Sequence, residues 1–174
     1  MHSSDLHLTR GELHDMLDIS HAALNVTTDQ EMHALLERIR ELVPCDRIIA
    51  FLGETSAHGA LTGVAKLLNV SYPAEWLGAY LENGYASVDP VLLTHFRQFK
   101  PQLWSETYHR ATSAAERNFI EHASSHGLAD GITVGQHSRS GTLGSLFSFA
   151  GKAMGEHARH RTVLAHLAPH LHGA

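Results

Sequence analysis

Apolar residues recur along this chain at two spacings, and the switches between them predict the order of its elements. Leu13, Met16 and Leu17, followed by residues 22–24, predict a first amphipathic helix. Thr28-Asp29-Gln30-Glu31 has the form of a capping box. It opens a second helix with Met32, Leu35, Leu36, Ile39 and Leu42 on one face, ended by Pro44. Residues 47–53 change to a β run, and residues 59–68 predict its partner after a Gly/Ser/His loop. Pro73 suits the first position of a helix that runs to the Asn83-Gly84 stop. Asp89-Pro90 starts a short helix to about Phe96, and residues 101–104 predict a short extended piece that includes Trp104. Ser113-Ala114-Ala115-Glu116 is a second capping box, whose helix turns Phe119, Ile120 and Ala123 inward before Gly127 ends it. Residues 131–137 and 142–149 predict a hairpin with its turn at 138–141, and a last helix spans about 156–167, broken near Pro169.

Strands joined by short loops imply an antiparallel sheet, and helices before and after it can cover both faces. The expected fold class is therefore α/β (α+β), an α-β-α sandwich around a roughly five-stranded antiparallel sheet, similar to PAS and GAF modules. With 174 residues the chain is expected to form one domain over 1–174, large enough to bury a core. No internal repeat or linker interrupts it.

Charge narrows the partners. Thirteen basic against 18 acidic residues give a net charge of −5, and the densest basic spot is only Arg159-His160-Arg161. A domain that grips nucleic acid shows a basic stripe, so DNA binding by this chain alone is not expected. The N-terminal Met1-His2-Ser3-Ser4-Asp5 lacks a signal-peptide pattern, and no apolar run reaches membrane-spanning length. A single cysteine, Cys45, suits a reducing compartment, so the expected location is cytoplasmic, with no membrane partner.

Sixteen histidines are an unusual number. His166 and His170 have an i, i+4 spacing, with His172 beyond, but no cysteine or carboxylate completes a ligand set. Most of the others, including His2, His7, His14, His33, His58, His95 and His109, are read as solvated surface residues. No metal and no cofactor is expected.

The densest chemistry lies between Tyr72 and Ala150. A Tyr72-x3-Trp76-x3-Tyr80-x8-Asp89-Pro90 segment is followed by Trp104, by Gly127-Leu128-x-x-Gly131 and by Gly144-Ser145-Leu146-Phe147-Ser148-Phe149-Ala150. Large amphipathic rings plus one carboxylate can line an apolar cavity and still present a few directed polar groups. Taken singly, Trp76, Tyr80 and Trp104 read as core aromatics and Asp89 as a helix cap. In combination they resemble the autoinducer-binding domain of LuxR-type quorum-sensing regulators, over about residues 15–172.

That resemblance implies a ligand, an N-acyl-homoserine lactone, and roles for particular residues. Trp76 would donate to the lactone carbonyl, and Asp89 would accept from the amide N–H. Tyr72 and Ser148 would address the amide carbonyl, directly or through water. Tyr80, Tyr85, Val91, Trp104 and Leu128 match the positions that pack the ring and chain. Ile49, Phe51, Leu61 and Val64 are candidates for the acyl wall, and Gly131 matches a glycine best explained by close backbone approach.

Family members normally continue into a helix-turn-helix domain, whereas this chain stops at Leu171-His172-Gly173-Ala174. It is expected to be the ligand-binding domain, either cut from a longer protein or standing alone, so that DNA is reached only through a C-terminal domain absent from this chain. A homodimer is a further expectation. Val163, Leu164, Leu167 and Leu171 form an apolar stripe suited either to self-association or to packing on the sheet.

Two rival functions compete with this reading. An enzyme acting on lactones would need a dense His/Asp zinc cluster or a Gly-x-Ser-x-Gly elbow, and neither occurs; Leu146 and Ala150 flank Ser148 where that elbow needs glycines. A PAS/GAF-like sensor of another small hydrophobic ligand is the nearer alternative.

Overall fold

The computed structural model describes residues 8–152 and 154–174, so His2 and His7 lie outside the described residues. Its helices are α1 (Arg10–Ala23), α2 (Asp29–Leu42), α3 (Ala74–Glu82), α4 (Pro90–Gln98), α5 (Trp104–His109), α6 (Ala114–Ser125) and α7 (Ala158–Gly173). The strands are β1 (Arg47–Thr55), β2 (Leu61–Asn69), β3 (Gln102–Leu103), β4 (Gly131–Val134) and β5 (Leu143–Ala150). They form one antiparallel sheet in the order β2-β1-β5-β4-β3.

Both capping boxes form, Thr28 with Glu31 and Ser113 with Glu116, and a third, Thr9 with Glu12, opens α1. Each satisfies orphan N–H groups at a helix start from both directions. The loop between β4 and β5 turns at Ser138–Gly141, where the Gly141 N–H donates to the Ser138 carbonyl. β4 stops at Val134, short of the expected His137. At Gly135 a Cβ would stand 2.0 Å from the Ser145 carbonyl oxygen, a crossing too close for any side chain.

Strand alternation divides the interior in two. Ile48 and Ala50 of β1, Ile132 and Val134 of β4, and Phe147 and Phe149 of β5 point to one face. There they pack against Ile19 of α1, Leu36 and Ile39 of α2, and Val163, Leu164 and Leu167 of α7. The opposite face carries Ile49, Phe51, Leu146 and Ser148 and is roofed by α3, α4 and α6. Among the described residues no helix is long and apolar enough to cross a membrane.

Four expectations need correction. α1 buries Ile19 and Ala23, while Leu13, Leu17 and Leu24 are exposed; the apolar periodicity is too loose to fix which side turns inward. Trp104 begins α5 instead of ending an extended piece, and this six-residue helix has neither a capping side chain nor an apolar period to announce it. α7 runs through Pro169 to Gly173. Pro169 sits on the exposed side, so the Ala165 carbonyl loses its i+4 donor where water can reach, while Leu171 holds the last turn at 1% exposure. His95, read as a surface residue, is 1% exposed.

The α7 stripe packs on the sheet, with Val163, Leu164, Leu167 and Leu171 no more than 1% exposed. Leu164→Glu is therefore expected to unfold the domain, not to dissociate a dimer. Losing the packing and burying a carboxylate together cost upwards of about 4 kcal/mol, a large part of a typical domain's stability. A circular-dichroism melt within a few degrees of the parent's would contradict that placement.

Candidate ligand-binding site

Between the sheet and the helical roof lies a cavity of about 260 Å³, close to the low end of ligand pockets in general. Its walls are apolar apart from a few directed groups. Of the residues expected at a site, Tyr72, Trp76, Tyr80, Asp89, Val91, Trp104, Leu128 and Ser148 all line it, as do Ile49, Phe51, Leu61 and Val64. Tyr85 does not. It stacks behind Trp76 at 5.7 Å between ring centroids, with its hydroxyl 2.7 Å from His122 Nδ1. Trp76, Tyr85 and Phe119 form one aromatic cluster, with Phe119 5.7 Å from Trp76 and 5.2 Å from Tyr85 between ring centroids.

The sequence reading did not single out Leu77, Leu92, Tyr108 or Leu146 as wall residues. Leu146 was legible in principle, two residues before Ser148 on the same side of a strand. Phe119 and Ala123 were read as inward-facing, and their helix delivers them to the cavity wall.

Asp89 holds two positions at once. It is the N-cap of α4, and its Oδ1 accepts from the Val91 and Leu92 N–H groups at 2.8 and 3.1 Å. Oδ2 accepts from the Tyr80 hydroxyl at 2.9 Å, which leaves a lone pair on that oxygen for a donor in the cavity. Burial raises its pKa to about 6, although the Leu92, Tyr80 and Val91 donors pull the other way. Burial likewise keeps the Tyr72, Tyr80 and Tyr108 phenols protonated.

A second polar feature runs along the sheet. Thr133 and Ser148 are cross-strand partners. The Trp104 indole N–H donates to Thr133 Oγ1 at 2.8 Å, and Thr133 Oγ1 lies 2.7 Å from Ser148 Oγ. With Trp104 donating to Thr133 Oγ1, the Thr133 O–H can donate to Ser148 Oγ, which leaves the Ser148 O–H as a donor beside Tyr72 at the cavity wall. Trp104 reaches this position because Gly131 has no side chain; a Cβ there would stand 2.8 Å from the indole ring. Trp76 differs from Trp104: it is 3% exposed, yet among the described residues its indole N–H meets no protein acceptor.

Two of the histidines near the C-terminus are engaged singly. His166 Nδ1 pairs with the Thr162 carbonyl and His172 Nδ1 with Ser145 Oγ, both at 2.8 Å. Among the described residues no three His, Cys, Asp or Glu side chains gather as a metal site.

Residues 28–174 match the family described as the autoinducer binding domain. A putative HTH-type transcriptional regulator of Sinorhizobium fredii, y4qH, is 33% identical over 127 residues, covering 67% of this chain and 39% of its own length. The chain spans about a third to two-fifths of the curated relatives it matches. Among solved structures, the N-acylhomoserine lactone dependent LuxR family factor CepR2 of Burkholderia cenocepacia superposes with a TM-score of 0.72 at 19% identity, covering 93% of each chain. SdiA, a protein of Escherichia coli, in complex with octanoyl-rac-glycerol gives 0.67 at 17% identity, over 95% of this chain and 66% of its own. This chain belongs to the autoinducer-binding domain family.

Proposed function

We propose that this domain takes an N-acyl-homoserine lactone into the cavity and is the sensing part of a quorum-sensing transcriptional regulator. The observation that supports this reading is the set of polar groups left over at the cavity wall. Trp76 has an unused N–H, Asp89 an unused lone pair, and Ser148 a hydroxyl backed by Thr133 and Trp104. A lactone carbonyl, an amide N–H and an amide carbonyl are their complements, and each unmatched group would cost about 1–3 kcal/mol on desolvation. Tyr85 supports Trp76 from behind in this account.

In the same proposal, DNA is read by a separate helix-turn-helix domain, and a homodimer is built on surfaces other than the buried α7 stripe. An acylglycerol is the second reading. Its free hydroxyl can serve Asp89 in place of an amide N–H, and the SdiA complex shows such a molecule in a related fold.

Acid tests the role of Asp89. Below about pH 6 the carboxyl takes up a proton on Oδ2, because Oδ1 is engaged by the α4 amides, and the acceptor for the amide N–H is lost. Lactone affinity is expected to fall by up to about tenfold between about pH 7.5 and about pH 5, with proton release on binding near pH 6. Titrations at both pH values, monitored by tryptophan fluorescence, measure it. Equal affinities would remove Asp89 from the proposed contacts.

A further inference from the structure

We infer that the cavity opens at its apolar end, so that the acyl chain of the ligand leaves between β2 and the C-terminal end of α3. This rests on the lactone reading above and extends it to the kind of chain the ligand carries.

The sheet register supplies the direction. On the cavity face, Ile49, Ser148 and Thr133 lie in one cross-strand row, beside the polar groups. The next row, Leu67, Phe51 and Leu146, is wholly apolar. In the row beyond, Gly53 pairs with Gly144, and rings from α4 and its C-cap fill the space a side chain would take. A Cβ on Gly53 would stand 2.9 Å from Phe96 Cζ, and one on Gly144 would stand 2.6 Å from Phe99 Cζ. A chain travelling along the strands therefore meets a plug of phenyl rings and has to turn aside.

The side it can turn to is β2, the edge strand. Val64, Leu67 and Leu81 all line the cavity, yet they are 64%, 52% and 81% exposed. Apolar residues that border both a cavity and bulk water mark its mouth, and here they sit on two elements that face each other across it. The cavity volume of about 260 Å³ lies near the low end of the roughly 300–1,000 Å³ usual for ligand pockets. Among the described residues no polar side chain stands in the Leu67, Phe51 and Leu146 row to pair with an oxygen substituent far along the chain. The class of ligand that fits is an N-acyl-homoserine lactone with a long, unsubstituted alkyl tail, whose outer methylenes cover Val64, Leu67 and Leu81.

Calorimetric titration of the 174-residue chain with butanoyl, hexanoyl, octanoyl, decanoyl, dodecanoyl and tetradecanoyl homoserine lactones tests this. Affinity is expected to climb by up to about fourfold per methylene while the chain is being buried, then level off without falling. Leu81→Asp, at a position exposed enough to leave folding intact, is expected to lower the dodecanoyl-to-hexanoyl affinity ratio by about tenfold. A sharp optimum followed by a steep fall for longer chains would overturn the open mouth and leave the lactone reading standing. An unchanged ratio in Leu81→Asp would overturn it as well. Binding of none of the six would remove the lactone reading and the channel together.

Discussion

Asp89→Asn is expected to lower lactone affinity by about ten- to a hundredfold and to leave the unliganded domain as stable as the parent, or more so. Asparagine keeps an oxygen that can cap α4 as Oδ1 does now, accepting from Val91 and Leu92. Its amide nitrogen can donate to the Tyr80 hydroxyl, reversing the present bond. What it lacks is an acceptor on the cavity side. Losing a hydrogen bond to a charged acceptor costs about 1.5–3 kcal/mol, which sets the range of affinity loss. Above about pH 6 the substitution also removes a carboxylate whose ionisation is opposed by burial. Asp89→Ala differs, because it deletes the cap as well and costs stability by about 1 kcal/mol. Calorimetry and melting curves on the two variants separate the roles. Parent-like lactone affinity in Asp89→Asn would place the amide acceptor elsewhere.

Saturating lactone is expected to raise the melting temperature of the domain by about 5–10 °C. The cavity is lined by core residues such as Trp76, Phe119 and Leu128, so a bound ligand adds apolar contacts to the core. A hundredfold excess over Kd contributes about 2.7 kcal/mol, and each kcal/mol is worth about 2–4 °C in a domain of this size. Acid reduces the gain. Between about pH 6.5 and 4 the unfolded chain binds a proton that buried His95, with its pKa lowered to about 4 by burial, refuses, so stability is lost as pH falls. Without ligand, Asp89 offsets this, since the folded chain takes up a proton between about pH 6 and 4 that the unfolded chain does not. A lactone N–H on the carboxylate lowers its pKa and removes that offset. Differential scanning fluorimetry across this range reads both effects; a lactone-induced shift that is absent, or that stays constant into acid, contradicts the account.

The parts legible from sequence were those with a local chemical cause. Thr28 with Glu31 and Ser113 with Glu116 are short-range signatures, and Gly84 supplies the left-handed residue that ends α3, at φ 61°. Asp89 was legible as a cap and is one; it also lines the cavity, because one carboxylate oxygen serves the helix and the other accepts from Tyr80. The parts that were not legible depend on tertiary context. The side of α1 that turns inward is set by its packing on α2 and α7, which leaves Leu13 and Leu17 outside. Tyr85 carries the right residue type but sits one layer back, since the turn after Gly84 stacks its ring on Trp76 instead of on the cavity. Gly135 and Gly144 carry no local signal for the crossings they permit, with the Ser145 backbone and with Phe99.

The central claim is that an intact acyl lactone is the occupant of the cavity. The most direct measurement is mass spectrometry of what the folded protein carries when purified from cells supplied with a mixture of acyl-homoserine lactones and octanoylglycerol. The account predicts an unhydrolysed N-acyl-homoserine lactone, one per chain, released only on denaturation and greatly reduced in Asp89→Asn. Ring-opened or deacylated product, an acylglycerol in preference to every lactone, or no bound lactone at all would contradict it.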